Sequence, residues 1–333
     1  MPELRKDPVI GRWVIIASER ARRPGNFVDT SDHEIEEEPS ECAYCHTQKW
    51  AIATSVPTEK VTVIPFMEPS AAKPFEFHRA KRGLYDVIDG PGTHEIVIET
   101  PKHLANMADL DTSQIRLVLE VYAERLKVME ADKPLQYALV YKNYGPTAGS
   151  RKIGHTRSHI VATPVRPQRV KEKLIGAKQY YKQHQRCVYC DIVAEEMKVK
   201  ERLICETEHF IAFIPFAAPL LFEVCIYPKG HHCDFHTGLR GKEQDLAVMM
   251  KTVLQKVQEG LADPAYNFVI QTAPFRGRSN DIHKWETIER DYHWHIELTP
   301  RLTRVAGFEK GSGFYICAVP PEAMAEFLRG VVI

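Results

Sequence analysis

The 333-residue sequence predicts an α+β fold made by tandem duplication, with mainly antiparallel sheets each covered by one long helix. Three observations predict it. A series of six elements occurs twice in the same order, an arrangement that chance rarely produces. The strand-like segments alternate apolar and polar residues with a period of two. Two long segments carry apolar residues at i, i+3, i+4 and i+7, the stripe of a helix lying on a sheet.

The first copy opens on the pair Cys42-x-x-Cys45 and continues through VTVIPFMEPSAAKPFE, the strand HEIVIETPKH and the helix TSQIRLVLEVYAERLKVME. It closes on the strand YALVYKNYG and the segment HTRSHIVATPVRP. The second copy opens on Cys187-x-x-Cys190 and repeats the order as FIAFIPFAAPLLFE, VCIYPKGHH, EQDLAVMMKTVLQKVQEGL, YNFVIQTAPF and HWHIELTPRLTR. The segments HEIVIET, FEVCIYP and HWHIELT have the alternation of half-buried strands. The basic, polar stretch VRPQRVKEKLIGAKQYYKQHQR reads as the connection between copies. A boundary near residue 170 follows, giving domains 1–170 and 171–333, each with its own cysteine knuckle.

Charge excludes some partners. Lys+Arg and Asp+Glu both number 44, so no global field marks a nucleic-acid or membrane-surface protein. No apolar run approaches the ~20 residues that cross a bilayer, and MPELRKDPVIGRW lacks the apolar core of a signal peptide. A soluble cytoplasmic protein is expected.

Four of the eight cysteines form the two close pairs, and in a long chain with accompanying histidines such pairs point to metal before disulfides. Zinc favours four sulfur and nitrogen ligands in a tetrahedron. The first expected set is Cys42, Cys45, His103 and His155. The second, taken from corresponding places, is Cys187, Cys190, His232 and His293. His231 competes with His232, which is preferred because its spacing to the following leucine matches that of His103. Sites with four protein ligands leave no open position and are structural.

Several stretches together carry a family resemblance: DPVIGRWVIIASERARRPGNF, CAYC, TPKH, the run from Asn143 through AGS to HxxSxIxATP, and YHWHIELTPRLTRVAGFEKGSGFYI. Over nearly its whole length the chain resembles the galactose-1-phosphate uridylyltransferases of the histidine-triad superfamily. The resemblance implies two histidine-triad modules, zinc, and ping-pong transfer of a uridylyl group between a nucleoside-diphosphate sugar and a sugar 1-phosphate, in a homodimer. It makes Arg20 and Arg23 binders of the nucleotide, with Asn143, Gly149 and Ser150 lining the nucleotide site, and Glu309 a binder of hexose hydroxyls.

One motif departs from the pattern. The family reads His-Pro-His-x-Gln, whose second histidine attacks phosphorus; this chain reads His155-Thr156-Arg157-Ser158-His159. Arg157 thus stands in the nucleophile's place and His159 in the glutamine's. A guanidinium stays protonated and offers no lone pair for attack. Three alternatives remain: His159 attacks from two residues along the strand, His295 attacks from the equivalent slot of HWHIE, or Arg157 stabilises a phosphate attacked directly. A nucleotidylyltransferase is the expected function. A zinc-containing nucleotide-binding or regulatory protein that has lost the chemistry is the alternative.

Overall fold

Alternating segments become strands because one face of each can then be buried while the other stays available. The computed structural model describes residues 2–17, 39–47, 51–66, 79–88, 92–150, 154–277 and 285–333. In chain order they form β1 (Glu3–Lys6), β2 (Trp13–Ile16), β3 (Thr62–Pro65), β4 (Arg79–Arg82), β5 (Tyr85–Ile88), β6 (Thr93–Ile98), α1 (Thr112–Ala131), β7 (Tyr137–Tyr144) and β8 (Arg157–Thr163). There follow α2 (Gln168–His184), α3 (Val188–Val199), β9 (Leu203–Glu206), β10 (Phe210–Phe213), β11 (Val224–Pro228), α4 (Phe235–Gly238), α5 (Glu243–Gly260) and β12 (Tyr266–Gln271). The chain closes with α6 (Ile288–Asp291), β13 (His295–Pro300), α7 (Gly307–Ser312), β14 (Tyr315–Cys317) and α8 (Pro321–Gly330).

The α+β class expected from the sequence is what forms, with one difference. The strands of the two copies merge into a single nine-stranded sheet of order β3-β6-β8-β7-β12-β13-β11-β10-β9. The seam is the antiparallel pair β7–β12, running from Tyr144 opposite Tyr266 to Val140 opposite Ile270. Because equivalent strands of the copies are antiparallel at the seam, the copies are related by an approximate two-fold through it.

One face of this sheet is the core. Val97, Val140, Ile160, Phe268, Ile270, Ile296 and Val224 point into it and are buried under α1 and α5. Helix α1 contributes Ile115, Val118, Leu119, Tyr122, Leu126 and Met129, the stripe its spacing predicts. Asp111 starts that helix as its N-cap, accepting the Gln114 N–H at 2.7 Å. Each fully buried aliphatic side chain contributes about 1.5–3 kcal/mol.

The polar stretch read as the connection folds as the helix α2, which packs on α3 and α6 and shares a buried cluster with Cys225 and Tyr227 of β11. A separate three-stranded sheet ties the chain's beginning to its end, since β14 pairs with β2 in parallel. Among the described residues no helix is long and apolar enough to cross a membrane.

Candidate functional site

Strand registers place the chemistry-bearing residues on the face opposite the core. His159 lies across from Tyr141 on β7 and Ile96 on β6, and Val269 across from Tyr141 carries the row on to Glu297. In the next rows Asn143 faces Asn267, and Gln271 faces His295. Side chains on one strand at i and i+2 share a face. Arg157 and His159 therefore look out together from β8, as His295 and Glu297 do from β13.

Two Cys/His clusters flank these rows. In the first, Cys42, Cys45, His103 and His155 bring one ligand atom each to within 4.8 Å of one another. Cys45 Sγ is 3.4 Å from His103 Nδ1 and 3.5 Å from His155 Nδ1. The second cluster is Cys187, Cys190, His231 and His293, with Cys190 Sγ at 3.2 Å from His231 Nδ1 and 3.6 Å from His293 Nδ1. His231 thus replaces the expected His232. The two adjacent side chains diverge: His231 faces the thiols, while the His232 ring lies against Gly238 and its carbonyl accepts the Trp294 N–H.

The donor set fits a metal. His155 Nε2 donates to the Thr100 carbonyl at 2.8 Å, His293 Nε2 to Pro228 at 3.0 Å and His231 Nε2 to Glu289 at 3.0 Å. A carbonyl only accepts, so each neutral ring keeps its lone pair on Nδ1, the atom beside the sulfurs. Tetrahedral zinc with its usual bond lengths separates nitrogen from sulfur by about 3.6 Å, close to the separations found.

Between the first cluster and the seam sits Arg157, 8% exposed. It donates from Nη1 to the His155 carbonyl at 3.2 Å and from Nη2 to Ser150 Oγ at 3.2 Å, and its guanidinium lies 5.1 Å from the Tyr44 ring. Three of its five N–H donors have no partner among the described residues. The turn it touches is built around Gly149, whose φ of +89° is a left-handed conformation that glycine adopts freely. Asn143 closes the floor, accepting from Asn267 Nδ2 at 2.7 Å.

His159 is joined to His94, Nδ1 to Nε2 at 3.0 Å. Burial, the neighbouring His94 and the charges of Arg157 and Lys142 lower the His159 pKa to about 3, so its ring is neutral across the physiological range. Beneath β8 on the core side runs a closed network. Lys142 Nζ donates to Glu99 Oε2 at 2.7 Å, Thr156 Oγ1 at 2.7 Å and the Arg157 carbonyl at 3.0 Å, using all three donors. Tyr122 completes it through Glu99 and Ser158.

The equivalent position of the second copy is differently furnished. His295 Nδ1 donates to the His293 carbonyl at 2.9 Å, as Arg157 does to His155. Its Nε2, however, meets the Lys173 ammonium at 3.0 Å, and the ring is 1% exposed with Tyr227 and Tyr189 centred 4.8 and 5.3 Å away. Lys173 also pairs with Glu297 at 2.5 Å, and Gln271 Nε2 donates to the other Glu297 oxygen at 2.9 Å. Burial pushes the Glu297 carboxyl up, but Lys173 and His295 outweigh it and hold it well below the usual range. His295, one of the three alternatives for the attacking group, thus has its Nε2 lone pair engaged.

Of the remaining candidates, Glu309 caps its own helix by accepting the Ala306 N–H at 3.0 Å and makes no hydrogen bond or ion pair with the others among the described residues. Arg20 and Arg23 lie outside the described residues. His94, Lys142, Lys173 and Asn267 were missed by sequence reasoning. His94 and Asn267 left a signal there, as polar positions between apolar ones in segments read as strands.

Known proteins resemble this chain over nearly its whole length. The family model described as galactose-1-phosphate uridyl transferase matches through its N-terminal domain at residues 1–167 and its C-terminal domain at 173–313. The ADP-glucose phosphorylase of Arabidopsis thaliana is 34% identical over 99% of this chain and 93% of its own length. A crystal structure of an ADP-glucose phosphorylase from the same plant, with bound ADP-glucose, superposes with a TM-score of 0.79 at 33% identity, covering 100% of both chains. The galactose-1-phosphate uridylyltransferase of Thermotoga maritima is 26% identical over 99% of this chain and 98% of its own. With both domain models matched and a full-length relative above 30% identity, the chain belongs to the galactose-1-phosphate uridyl transferase family of nucleotidyltransferases.

Proposed function

We propose that the protein moves a nucleoside monophosphate between a nucleoside-diphosphate hexose and a hexose 1-phosphate on the open face of its first half. The observation that carries this reading is Arg157, whose fork keeps three N–H donors without a partner among the described residues, beside Ser150. A guanidinium so held suits the charge that develops on a phosphoryl group in transfer. Asn143 and the amides of the Gly149–Ser150 turn would bind the nucleotide, and Arg20 and Arg23 its phosphates. The chemistry is assigned to this face and not to His295, because the Lys173 ammonium already takes the His295 Nε2 lone pair.

Both Cys/His clusters would hold zinc, with Cys42, Cys45, His103 and His155 in one and Cys187, Cys190, His231 and His293 in the other. Four protein ligands make each a structural site. The first would fasten Tyr44 and the start of β8 to each other, which fixes the surroundings of Arg157. Four cysteines in metal clusters and four in no disulfide suit a reducing cytoplasm.

A steady-state assay tests the reading, with UDP-glucose and ADP-glucose as alternative donors and galactose 1-phosphate as acceptor. Formation of glucose 1-phosphate with one donor is the expected result. The family name points to uridine and the Arabidopsis relative to adenosine, so both bases are needed. Calorimetric binding of a donor without turnover would instead favour a nucleotide-binding protein that has lost the chemistry.

A further inference from the structure

We propose that His159 is the nucleophile of this reaction and that His94 is its positioning partner, the pair replacing a histidine at the Arg157 slot. The inference rests on the transferase reading above. It starts from the strands. His159 and Arg157 share the open face of β8, two residues or about 6.6 Å apart along the strand. A phosphate gripped by Arg157 therefore has the His159 ring as its neighbour on the same face. His94 reaches that ring from β6, its Nε2 3.0 Å from His159 Nδ1.

The pair is held in a stack. Tyr141 lies against His159 with centroids 5.0 Å apart and planes at 15°, and Phe66 lies against His94 at 4.2 Å and 16°. Stacked on both sides, the rings keep one edge-to-edge geometry. Buried groups on the core side fix the backbone beneath, through Lys142 and the Arg157 carbonyl. This is the arrangement of an activated nucleophile: an attacking group, a partner that sets its tautomer, and packing that sets the partner.

With the proton on His159 Nδ1, donated to the His94 Nε2 lone pair, His159 Nε2 carries its own lone pair. That pair forms the N–P bond to the α-phosphorus. The bond from phosphorus to the bridging oxygen breaks, and its electrons leave on the hexose 1-phosphate. His94 takes the Nδ1 proton as the adduct forms, so the nucleotidyl-imidazole does not retain a full positive charge beside Arg157. In the second half-reaction an oxygen of the incoming hexose 1-phosphate attacks phosphorus, the N–P electrons return to Nε2, and the proton returns from His94 to Nδ1. Nothing else is consumed.

The test is intact-protein mass spectrometry after brief mixing with UDP-glucose or ADP-glucose, alongside the steady-state assay. The wild type is expected to gain the mass of one nucleoside monophosphate, mapped by peptide analysis to His159. His159→Gln should lose the adduct with unchanged zinc content and melting temperature. His94→Phe, which keeps a stacked ring but cannot accept a proton, should slow adduct formation about 100-fold while leaving donor Kd within about twofold. His94→Gln, whose amide oxygen still accepts the Nδ1–H, should recover part of that rate. A donor Kd raised as much as the rate falls would reduce His94 to a structural role and overturn its part. An adduct on another residue, or one that survives His159→Gln, sinks the nucleophile assignment. Turnover without any adduct also sinks it while leaving the transferase reading intact; no turnover and no adduct with either donor removes both.

Discussion

Arg157 stands where the sequence resemblance leads one to expect a histidine, and its surroundings say what a guanidinium does there. The guanidinium spends one donor on the His155 carbonyl and one on Ser150, which aims the rest of the fork. Lysine carries the same charge without that planar geometry. Arg157→Lys is expected to lower kcat/KM by about 100-fold, the loss typical of one oriented donor at a reacting centre, with little change in melting temperature; a steady-state assay with a thermal melt checks both. Lys142, from the neighbouring strand β7, acts beneath β8 on the core side. Lys142→Ala would strand the Glu99 carboxylate, fully buried, without its cation. Removing one partner of a buried pair costs about 3–5 kcal/mol, so urea unfolding should show a loss of that size.

At the scale of elements, helix α1 and the cysteine turns can be tested separately. The Asp111 cap lies at the exposed start of α1. Asp111→Ala should destabilise the protein by about 1 kcal/mol, read as a lower urea midpoint. Hydrogen bonds from Ser113 and the Gln114 amide lower the Asp111 pKa. A depressed carboxyl contributes stability that is present above its unfolded pKa of about 3.9 and lost as pH falls through the lower folded value. The difference between wild type and Asp111→Ala should therefore hold at pH 7 and shrink below about pH 4. For the metal sites, Cys187→Ser should reduce the zinc content measured by elemental analysis from two ions per chain to one. Retention of two would remove Cys187 from the ligand set.

Much of this was legible in the sequence, because period and order survive into three dimensions. The alternation of HEIVIET and HWHIELT became β6 and β13, and the apolar stripe near Thr112 became α1. The choice between His231 and His232 was not legible, since it depends on which of the two diverging side chains faces the thiols. Lys173 was hidden more deeply: it sits in a basic, polar run that resembles a linker, and only the docking of α2 brings it to His295. The link of His94 to His159 needs the β6–β8 register, which no local pattern encodes.

Taken whole, the molecule is held by contacts that ignore the midpoint of the chain. Strands β7 and β12 pair across it, α1 packs on α5, and Arg5 near the N-terminus shares Glu322 of α8 with Arg202. A fragment of residues 171–333 would expose the β12 edge from Tyr266 to Ile270 and the part of α5 that packs on α1. It is expected to associate or aggregate, whereas the intact chain unfolds in one cooperative transition; sedimentation of the fragment and calorimetry of the full chain check this. The approximate two-fold at the β7–β12 seam has a further consequence. A pair of identical separate chains must write every change into both of its sites at once. A single covalent chain with the same geometry is free of that constraint, and so position 157 can carry arginine while the equivalent position 295 carries histidine.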